Sequence, residues 1–215
     1  MSPLPLDASA PSPKDRFVTV YGRNPVLAAL DDPALTVDKV LLAEGARGPH
    51  VAEILASARG RGVSVQRVSA ERVKKLAGNG KQDQGVCADV VAPRMRTVAA
   101  ALAAGLTGPV LVLDGVTTPA NVGMILRTAT AAGFAGIVVP RRGVAAIDPL
   151  VVKASAGVAF AAPILKCATA SEAVHALAEA GFRVVVAWES RPTTSLYAAH
   201  LPGRTAYVLG GETAG

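Results

Sequence analysis

The fold is indicated most clearly by residues 110–129, which read VLVLDGVTTPANVGMILRTA. The continuous apolar run at 110–113 predicts a strand that is buried on both faces, as in a parallel sheet. The polar turn after it leads into a predicted helix at 120–132, and Asn121 stands near the start, where a cap is expected. A buried strand followed directly by a helix indicates an α/β domain.

The same alternation continues in both directions from this segment. Toward the C-terminus the pattern predicts strands at 136–139, 162–165, 183–188 and 205–209 and helices at 148–154 and 173–180. Toward the N-terminus it predicts strands at 17–21, 39–43, 63–67 and 86–91, and helices beginning after the cap Asn24 and at 51–59 and 70–77. The two halves are therefore a small β-α-β-α-β-α-β sandwich and a doubly wound, mostly parallel sheet.

A short polar segment that contains a proline, 92–96, separates the two halves. Before the first strand, the Pro-, Ser- and Ala-rich start of the chain is typical of a disordered tail. The predicted organisation is thus a tail at 1–16, a small domain at 17–91, a linker at 92–96 and a larger domain at 97–215.

The composition fits a soluble globular protein. Of 215 residues, 51% are hydrophobic and 18% are charged, and the net charge is +6. This excludes a disordered chain, and the apolar runs are too short to cross a bilayer. Cys87 and Cys167 lie far apart, and the three histidines are scattered, so neither a disulfide framework nor a metal site is predicted. We therefore expect a cytoplasmic protein without a metal.

Seven basic residues lie between Arg59 and Lys81, and Glu71 is the one acid among them. Such a cluster could neutralise the phosphates of a nucleic acid, or it could be a solvated helix face. The sequence leaves both interpretations open.

Two motifs in the second half resemble those of a known family. The pattern Asn-x-Gly-x-x-x-Arg-Thr-Ala at 121–129 follows a strand that ends at Asp114, and Leu-Gly-Gly-Glu-Thr-Ala-Gly occupies 209–215. Together they resemble motifs one and two of the SpoU-type RNA 2′-O-ribose methyltransferases, the TrmH-like branch of the SPOUT superfamily. In the first half, VYGRNPV at 20–26 and QGV at 84–86 look like the opening and closing signatures of that family's small substrate-binding domain.

The resemblance implies an L30e-like N-terminal domain and a C-terminal trefoil-knot domain that binds S-adenosylmethionine (SAM). It also implies a homodimer that acts on RNA, with ribosomal RNA favoured over transfer RNA by the family architecture. Asp83 stands where the family often has His, so no role of that His is carried over. The third family motif, a Ser-Leu-Asn segment, is not found up to Gly215, so the knot is incomplete in this chain. We expect these residues to be part of a longer protein, and this part alone to bind SAM weakly or not at all.

By the same resemblance, Arg127 contacts the RNA and helps to activate the ribose hydroxyl, Asn121 holds Arg127 or the ribose, and Glu212 orients this cluster. The residues expected at the cofactor are Gly210, Gly211 and Ala187. The residues expected to bind RNA are Arg23, Arg72, Lys74 and Lys75.

Two other functions remain possible from the sequence. The chain could be a non-catalytic RNA-binding protein with a degenerate second half, or an unrelated flavodoxin-like nucleotide-binding domain. Binding of SAM separates the first alternative from an enzyme, and a knotted C-terminus decides the second.

Overall fold

The computed structural model describes residues 15–77, 83–187, 195 and 198–211, which form two β-sheets. The N-terminal sheet contains β1 (Phe17–Tyr21), β2 (Val37–Ala43), β3 (Ser64–Val68) and β4 (Val86–Val91). Its order is β1-β4-β2-β3, in which β4 runs antiparallel to both neighbours and β2 runs parallel to β3. The helices between these strands are α1 (Arg23–Asp31), α2 (Pro49–Gly60) and α3 (Ala70–Ala77). The predicted alternation of strands and helices is confirmed.

The C-terminal sheet is parallel throughout. Its strands are β5 (Arg96–Thr97), β6 (Val110–Leu113), β7 (Gly136–Val138), β8 (Ile164–Lys166), β9 (Arg183–Ala187) and β10 (Thr205–Leu209), in the order β5-β8-β7-β6-β10-β9. The accompanying helices are α4 (Val98–Ala103), α5 (Pro119–Ala131), α6 (Pro149–Ala154) and α7 (Ala170–Glu179). Because every pair is parallel, the carboxyl ends of all the strands lie at one edge, where open α/β sheets bind their ligands.

The central strands β6 and β7 of the six-stranded sheet are buried on both faces, as their apolar residues predict. Val112 packs with Leu177 of α7 on one face, whereas Leu113 packs with Leu126 of α5 on the other. The core on the α5 face continues without a break into the N-terminal half, where Val18 belongs to it. The two halves are therefore held against each other by shared apolar contacts.

Two predicted helix caps are wrong. Helix α1 begins at Arg23 with Gly22 as its N-cap, so Asn24 lies inside the first turn. The reason is local geometry: Gly22 has φ +88°, and the Arg23 N–H donates to Gln84 Oε1 at 3.0 Å. Helix α5 begins at Pro119, because proline suits the first helical position. This leaves Thr118 as the N-cap and places Asn121 in the first turn as well.

Thr169 caps the N-terminus of α7. Its hydroxyl accepts the N–H of Glu172 at 3.2 Å, and the Glu172 carboxylate accepts the N–H of Ala168 at 3.1 Å. Ser69 caps α3 in the same way, through the N–H of Arg72 at 3.3 Å. Both caps satisfy N–H groups that the helix itself leaves unpaired.

Segments outside the predicted domains also take part in the packing. Asp15, which the sequence places in the tail, is buried and pairs with Arg141. Arg96, which the sequence places in the linker, pairs with Leu165 as part of β5. Met95, also in the linker, is buried in the shared core.

Candidate active site

A cavity of about 420 Å³ opens at the carboxyl ends of β6 and β10. Its size falls in the range of small-molecule sites. The residues that line it are Gly115, Val116, Thr117, Thr118, Asn121, Met124, Ile125, Leu209, Gly210 and Gly211. It is thus formed by the loop after β6, the first two turns of α5 and the turn after β10.

The loops after β6 and β10 touch through their backbones. The Asp114 N–H donates to the Leu209 carbonyl at 3.0 Å, which continues the pairing of the two strands. A Cβ atom on Gly211 would collide with the carbonyl of Gly115, and Gly115 itself has φ +69°. Only glycine allows this approach together with this backbone conformation. The cavity is therefore walled by main-chain groups, which could meet a ligand directly.

A third loop closes against the same place. The Ala145 N–H donates to the Val116 carbonyl at 3.0 Å, so the segment between β7 and α6 lies beside the loop after β6.

Helix α5 is held in position by a glycine. A Cβ on Gly123 would lie 2.7 Å from the Val151 carbonyl oxygen of α6, so the two helices pack with no space for a side chain there. This close contact places the first turn of α5, and with it Asn121, at the wall of the cavity.

Arg127 lies two helical turns from the start of α5, and its side chain is exposed. It does not line the cavity, in contrast to Asn121, which is half-buried there. Within the part of the chain that the structure describes, Arg127 makes no ion pair. Glu212, the third predicted catalytic residue, lies outside the described residues.

The predicted cofactor residues lie at the ends of neighbouring strands. Gly210 and Gly211 belong to the cavity wall. Ala187 pairs with Leu209 at the end of β9 and is exposed, so it stands beside this wall at the same edge of the sheet.

The basic cluster of the first half divides into two groups. Arg72, Lys74 and Lys75 are exposed on α3. Arg61 instead donates to four main-chain carbonyls at the end of α1 and in the turn after it, and Arg67 donates to three after β2. These two arginines hold loops together, so the cluster offers fewer charges to a partner than the sequence suggested.

Arg23 lies apart from α3, half-buried at the first residue of α1. Sequence reasoning did not select Thr117, Thr118, Met124 or Ile125 for the site, although all four line the cavity. For Thr117 and Thr118 the available signal was their position in the loop after a buried strand. The 53% exposure of Met124 on α5 is a feature that only the structure reveals.

Burial changes the chemistry of several groups. It raises the pKa of Cys87 to about 12 and that of Cys167 to about 11, so both thiols stay protonated at neutral pH. Burial, together with the charge of Arg141, lowers the pKa of Lys166 to about 8. Among the described residues, no group of His, Cys, Asp and Glu could hold a metal ion, and no helix is long and apolar enough to span a membrane.

Two family profiles match the chain, one on each half. The profile described as the SpoU rRNA Methylase family matches residues 108–215. The profile described as RNA 2′-O ribose methyltransferase substrate binding matches residues 19–96.

Similar proteins match over most of their length. A protein from Xylella fastidiosa (strain 9a5c), named 23S rRNA (guanosine-2′-O-)-methyltransferase RlmB, is 32% identical over 91% of this chain and 80% of its own. The protein of the same name from Xanthomonas axonopodis pv. citri is 33% identical, with 91% of this chain and 80% of its own covered.

Solved structures share the fold. The AdoMet-bound rRNA methyltransferase from Sinorhizobium meliloti superposes with a TM-score of 0.57 at 23% identity, covering 93% of this chain and 72% of that one. The SpoU methyltransferase AviRb from Streptomyces viridochromogenes, in complex with AdoMet, gives a TM-score of 0.54 at 22% identity and covers 93% of this chain and 74% of that one.

Proposed function

The chain belongs to the SpoU family of RNA 2′-O-ribose methyltransferases, and on that premise we propose that it transfers a methyl group from SAM to a ribose 2′-hydroxyl of ribosomal RNA. The observation that carries the proposal is the cavity at the ends of β6 and β10, because it is built from the two segments that contain the family motifs. Membership of this family excludes the flavodoxin-like alternative.

The cavity suits the methyl donor. The contact between Gly211 and Gly115 leaves room for backbone but not for a Cβ, so main-chain groups can approach a bound ligand. We assign the donor to Gly210 and Gly211, with Ala187 at the neighbouring strand end. When bound, SAM supplies a methyl group on a sulfonium. The residues of this chain must orient it and exclude water.

On the RNA side, we assign the ribose to Asn121, Arg127 and Glu212. In-line attack requires the 2′-hydroxyl to lose its proton, and positioning supplies much of the rate. An arginine side chain stays charged in proteins, so we assign proton removal to Arg127 acting together with an RNA phosphate that it binds. The exposed position of Arg127 supports this role, since a phosphate can reach it from solvent.

We assign RNA binding to the N-terminal domain at 17–91, methyl transfer to 97–215, and the connection between them to 92–96. The separate profile matches on the two halves support this division. Within the first domain, Arg72, Lys74, Lys75 and Arg23 are the proposed contacts. The names of the relatives make 23S ribosomal RNA the first substrate to test, and a ribosomal RNA substrate supports the proposal of a cytoplasmic protein.

A homodimer is part of the proposal. The support is Val186 on strand β9, at the edge of the sheet formed by the described strands, with 56% of its surface exposed. An apolar sheet edge is usually covered in native proteins. Sedimentation of the purified chain tests the dimer, and a monomer at all concentrations would contradict it. The trefoil knot implied by the family motifs stays a prediction.

The deciding experiment combines two measurements. Calorimetric titration with SAM tests the cavity, and mapping of 2′-O-methyl groups in ribosomal RNA from cells with and without the gene tests the reaction. Gly211→Ala is expected to abolish SAM binding, because its Cβ would collide with the Gly115 carbonyl. Gly203→Ala is the matched control, because a Cβ there would meet no described atom within 4 Å.

The outcomes separate the alternatives. If the protein at its natural full length does not bind SAM, the proposed donor site is wrong. If it binds SAM and RNA but every methyl group persists without the gene, and the purified protein methylates no ribosomal RNA, it is the non-catalytic RNA-binding protein instead.

A further inference from the structure

Three basic residues stand at the carboxyl ends of β7 and β8, at the same edge of the sheet as the cavity. Lys166 is the last residue of β8, and Arg141 and Arg142 follow β7. We call Arg141, Arg142 and Lys166 the basic edge. None of the motifs that identify the family includes them.

Main-chain hydrogen bonds bring these residues together. The Arg141 N–H donates to the Cys167 carbonyl at 3.0 Å, and the Arg142 N–H donates to the Ala168 carbonyl at 3.2 Å. The chain after β7 therefore runs alongside the chain after β8, as an extension of the sheet. Main-chain hydrogen bonds therefore fix where these three residues branch from the backbone.

The carboxylates of two nearby acids already have partners. Asp15 is buried and pairs with Arg141, and the Glu172 carboxylate accepts the Ala168 N–H at 3.1 Å. Three basic residues and two acids therefore lie in this region, and Arg142 is exposed to solvent. The arrangement leaves an excess of positive charge at this place.

Burial and the charge of Arg141 both act on Lys166. Burial and the neighbouring guanidinium of Arg141 lower its pKa to about 8, while Asp15 and Cys167 act to raise it. Two cations held this close oppose the charged form of the lysine. A bound anion would relieve the repulsion and favour the charged form.

The basic edge is also close to the proposed reaction site. The segment that begins with Arg141 continues to Ala145, whose N–H donates to the Val116 carbonyl in the wall of the cavity. A polyanion that lies along the basic edge therefore passes the cavity.

We propose that the basic edge binds backbone phosphates of the RNA substrate and guides the strand toward the methyl-transfer cavity. The choice of RNA as the polyanion rests on the proposed function. The proposal adds a second contact surface to the one assigned to α3, which belongs to the other sheet.

Binding to a 23S ribosomal RNA transcript, measured over a series of salt concentrations, tests the proposal. Arg142→Ala and Lys166→Met are each expected to raise the Kd roughly three- to ten-fold at low salt and to reduce the salt slope by about 0.7 to 0.9. The matched control is Arg183→Ala, an exposed arginine at the start of β9, hence at the opposite edge of the same sheet. It removes the same charge and is expected to keep the wild-type slope.

A second readout separates binding from a merely structural role. Lys166→Met removes a partly buried charge, so its thermal midpoint is expected to rise while its RNA affinity falls. If Lys166 only supported the fold, its replacement would lower both the thermal midpoint and the RNA affinity, or would change neither. SAM affinity, measured in the same variants, is expected to stay at the wild-type value.

Slopes of Arg142→Ala and Lys166→Met equal to that of Arg183→Ala would overturn the proposal. The measurement of RNA binding does not depend on SAM. A wild-type protein that binds RNA but not SAM would therefore refute the donor site, while the proposal for the basic edge could still be tested. A wild-type protein that binds no RNA would refute both.

Discussion

At the scale of single residues, hydrogen bonding to the main chain separates the arginines that serve the fold from those free to meet a partner. Arg61 and Arg67 use their guanidinium groups on main-chain carbonyls, whereas Arg127 extends from α5 into solvent. An exposed arginine on a helix packed through Val122 and Leu126 adds little to stability. Its removal should therefore affect the reaction and not the fold.

Arg127→Ala is expected to lower methyl transfer to ribosomal RNA by at least about a hundred-fold. Its SAM affinity and its free energy of unfolding should stay near the wild-type values, since the side chain does not line the cavity. Single-turnover methylation, calorimetry and denaturant unfolding give the three readings. Thr128→Ala, a change at the next exposed residue, is the control. Substantial turnover of Arg127→Ala would remove Arg127 from the mechanism.

Lys166 predicts a dependence of stability on pH. Its pKa is lowered to about 8 in the folded protein, while the unfolded chain keeps the proton up to the usual value of 10.5. Between these two values the unfolded state binds more protons, so stability rises with pH there. Below about pH 8 the full penalty of the partly buried charge remains.

Lys166→Met is accordingly expected to be more stable than wild type by about 1 to 3 kcal/mol at pH 7. The difference should shrink as the pH rises from 8 toward 10.5, because the wild-type lysine then loses its charge. Urea unfolding of both proteins at pH 7 and near pH 10 measures this difference in the free energy of unfolding. The contributions of the other titrating groups cancel because they are the same in both proteins. An equal difference at both values would show that Lys166 has an ordinary pKa.

At the scale of elements, the contact between α5 and α6 connects the core to the site. Gly123 sits against the Val151 carbonyl, and the N-terminal turn of α5 carries Asn121 into the cavity wall. Asp148 caps α6 through the N–H groups of Leu150 and Val151, at 2.9 and 3.0 Å. The geometry of the site thus depends on a helix pair that has no room to adjust.

Gly123→Ala is expected to destabilise the protein by about 1 to 3 kcal/mol, as overpacking does in a close-packed interior. It should also weaken SAM binding, because α5 must move away from α6. The comparison is Gly60→Ala at the end of α2, where a Cβ meets no described atom within 4 Å and alanine favours the helix. Chemical unfolding and calorimetry measure both. A Gly123→Ala protein as stable as wild type would mean that the helices separate freely.

At the scale of the whole molecule, the two halves share one apolar core and a polar contact. The Tyr21 hydroxyl of β1 donates to the Asp148 carboxylate at 3.4 Å, and the same carboxylate caps α6. The N-terminal half therefore touches the element that positions the site. The exposed basic residues of α3 form the proposed RNA-binding surface, which lies far along the sequence from Tyr21.

Neutralising Arg72, Lys74 and Lys75 together is expected to weaken binding to ribosomal RNA and to reduce its salt slope by about two to three units. SAM affinity should not change, since these residues lie in the other sheet. Replacing Arg183, which lies outside the basic cluster of the first half, provides a control for the loss of a positive charge elsewhere. An unaltered salt slope in the triple variant would indicate that the basic residues of α3 form a solvated helix face.

The sequence alone determined the order of strands and helices apart from β5 and α4, the parallel character of the second sheet and the family. These follow from local information: apolar runs such as 110–113, capping residues such as Thr169, and motif residues at fixed spacing around Asn121 and Glu212. The helix starts at Arg23 and Pro119 were missed because a glycine conformation and a proline, not the nearby asparagines, set them.

The tertiary structure decided which of these residues meet. The contact of Gly115 with Gly211 joins loops almost a hundred residues apart, and the basic edge joins the ends of two separate strands. It also decided that Arg61 and Arg67 serve carbonyl groups while Arg72 remains exposed. The order of strands within each sheet and the burial of side chains are set by contacts between distant parts of the chain. The spacing of residues along the sequence does not indicate these contacts.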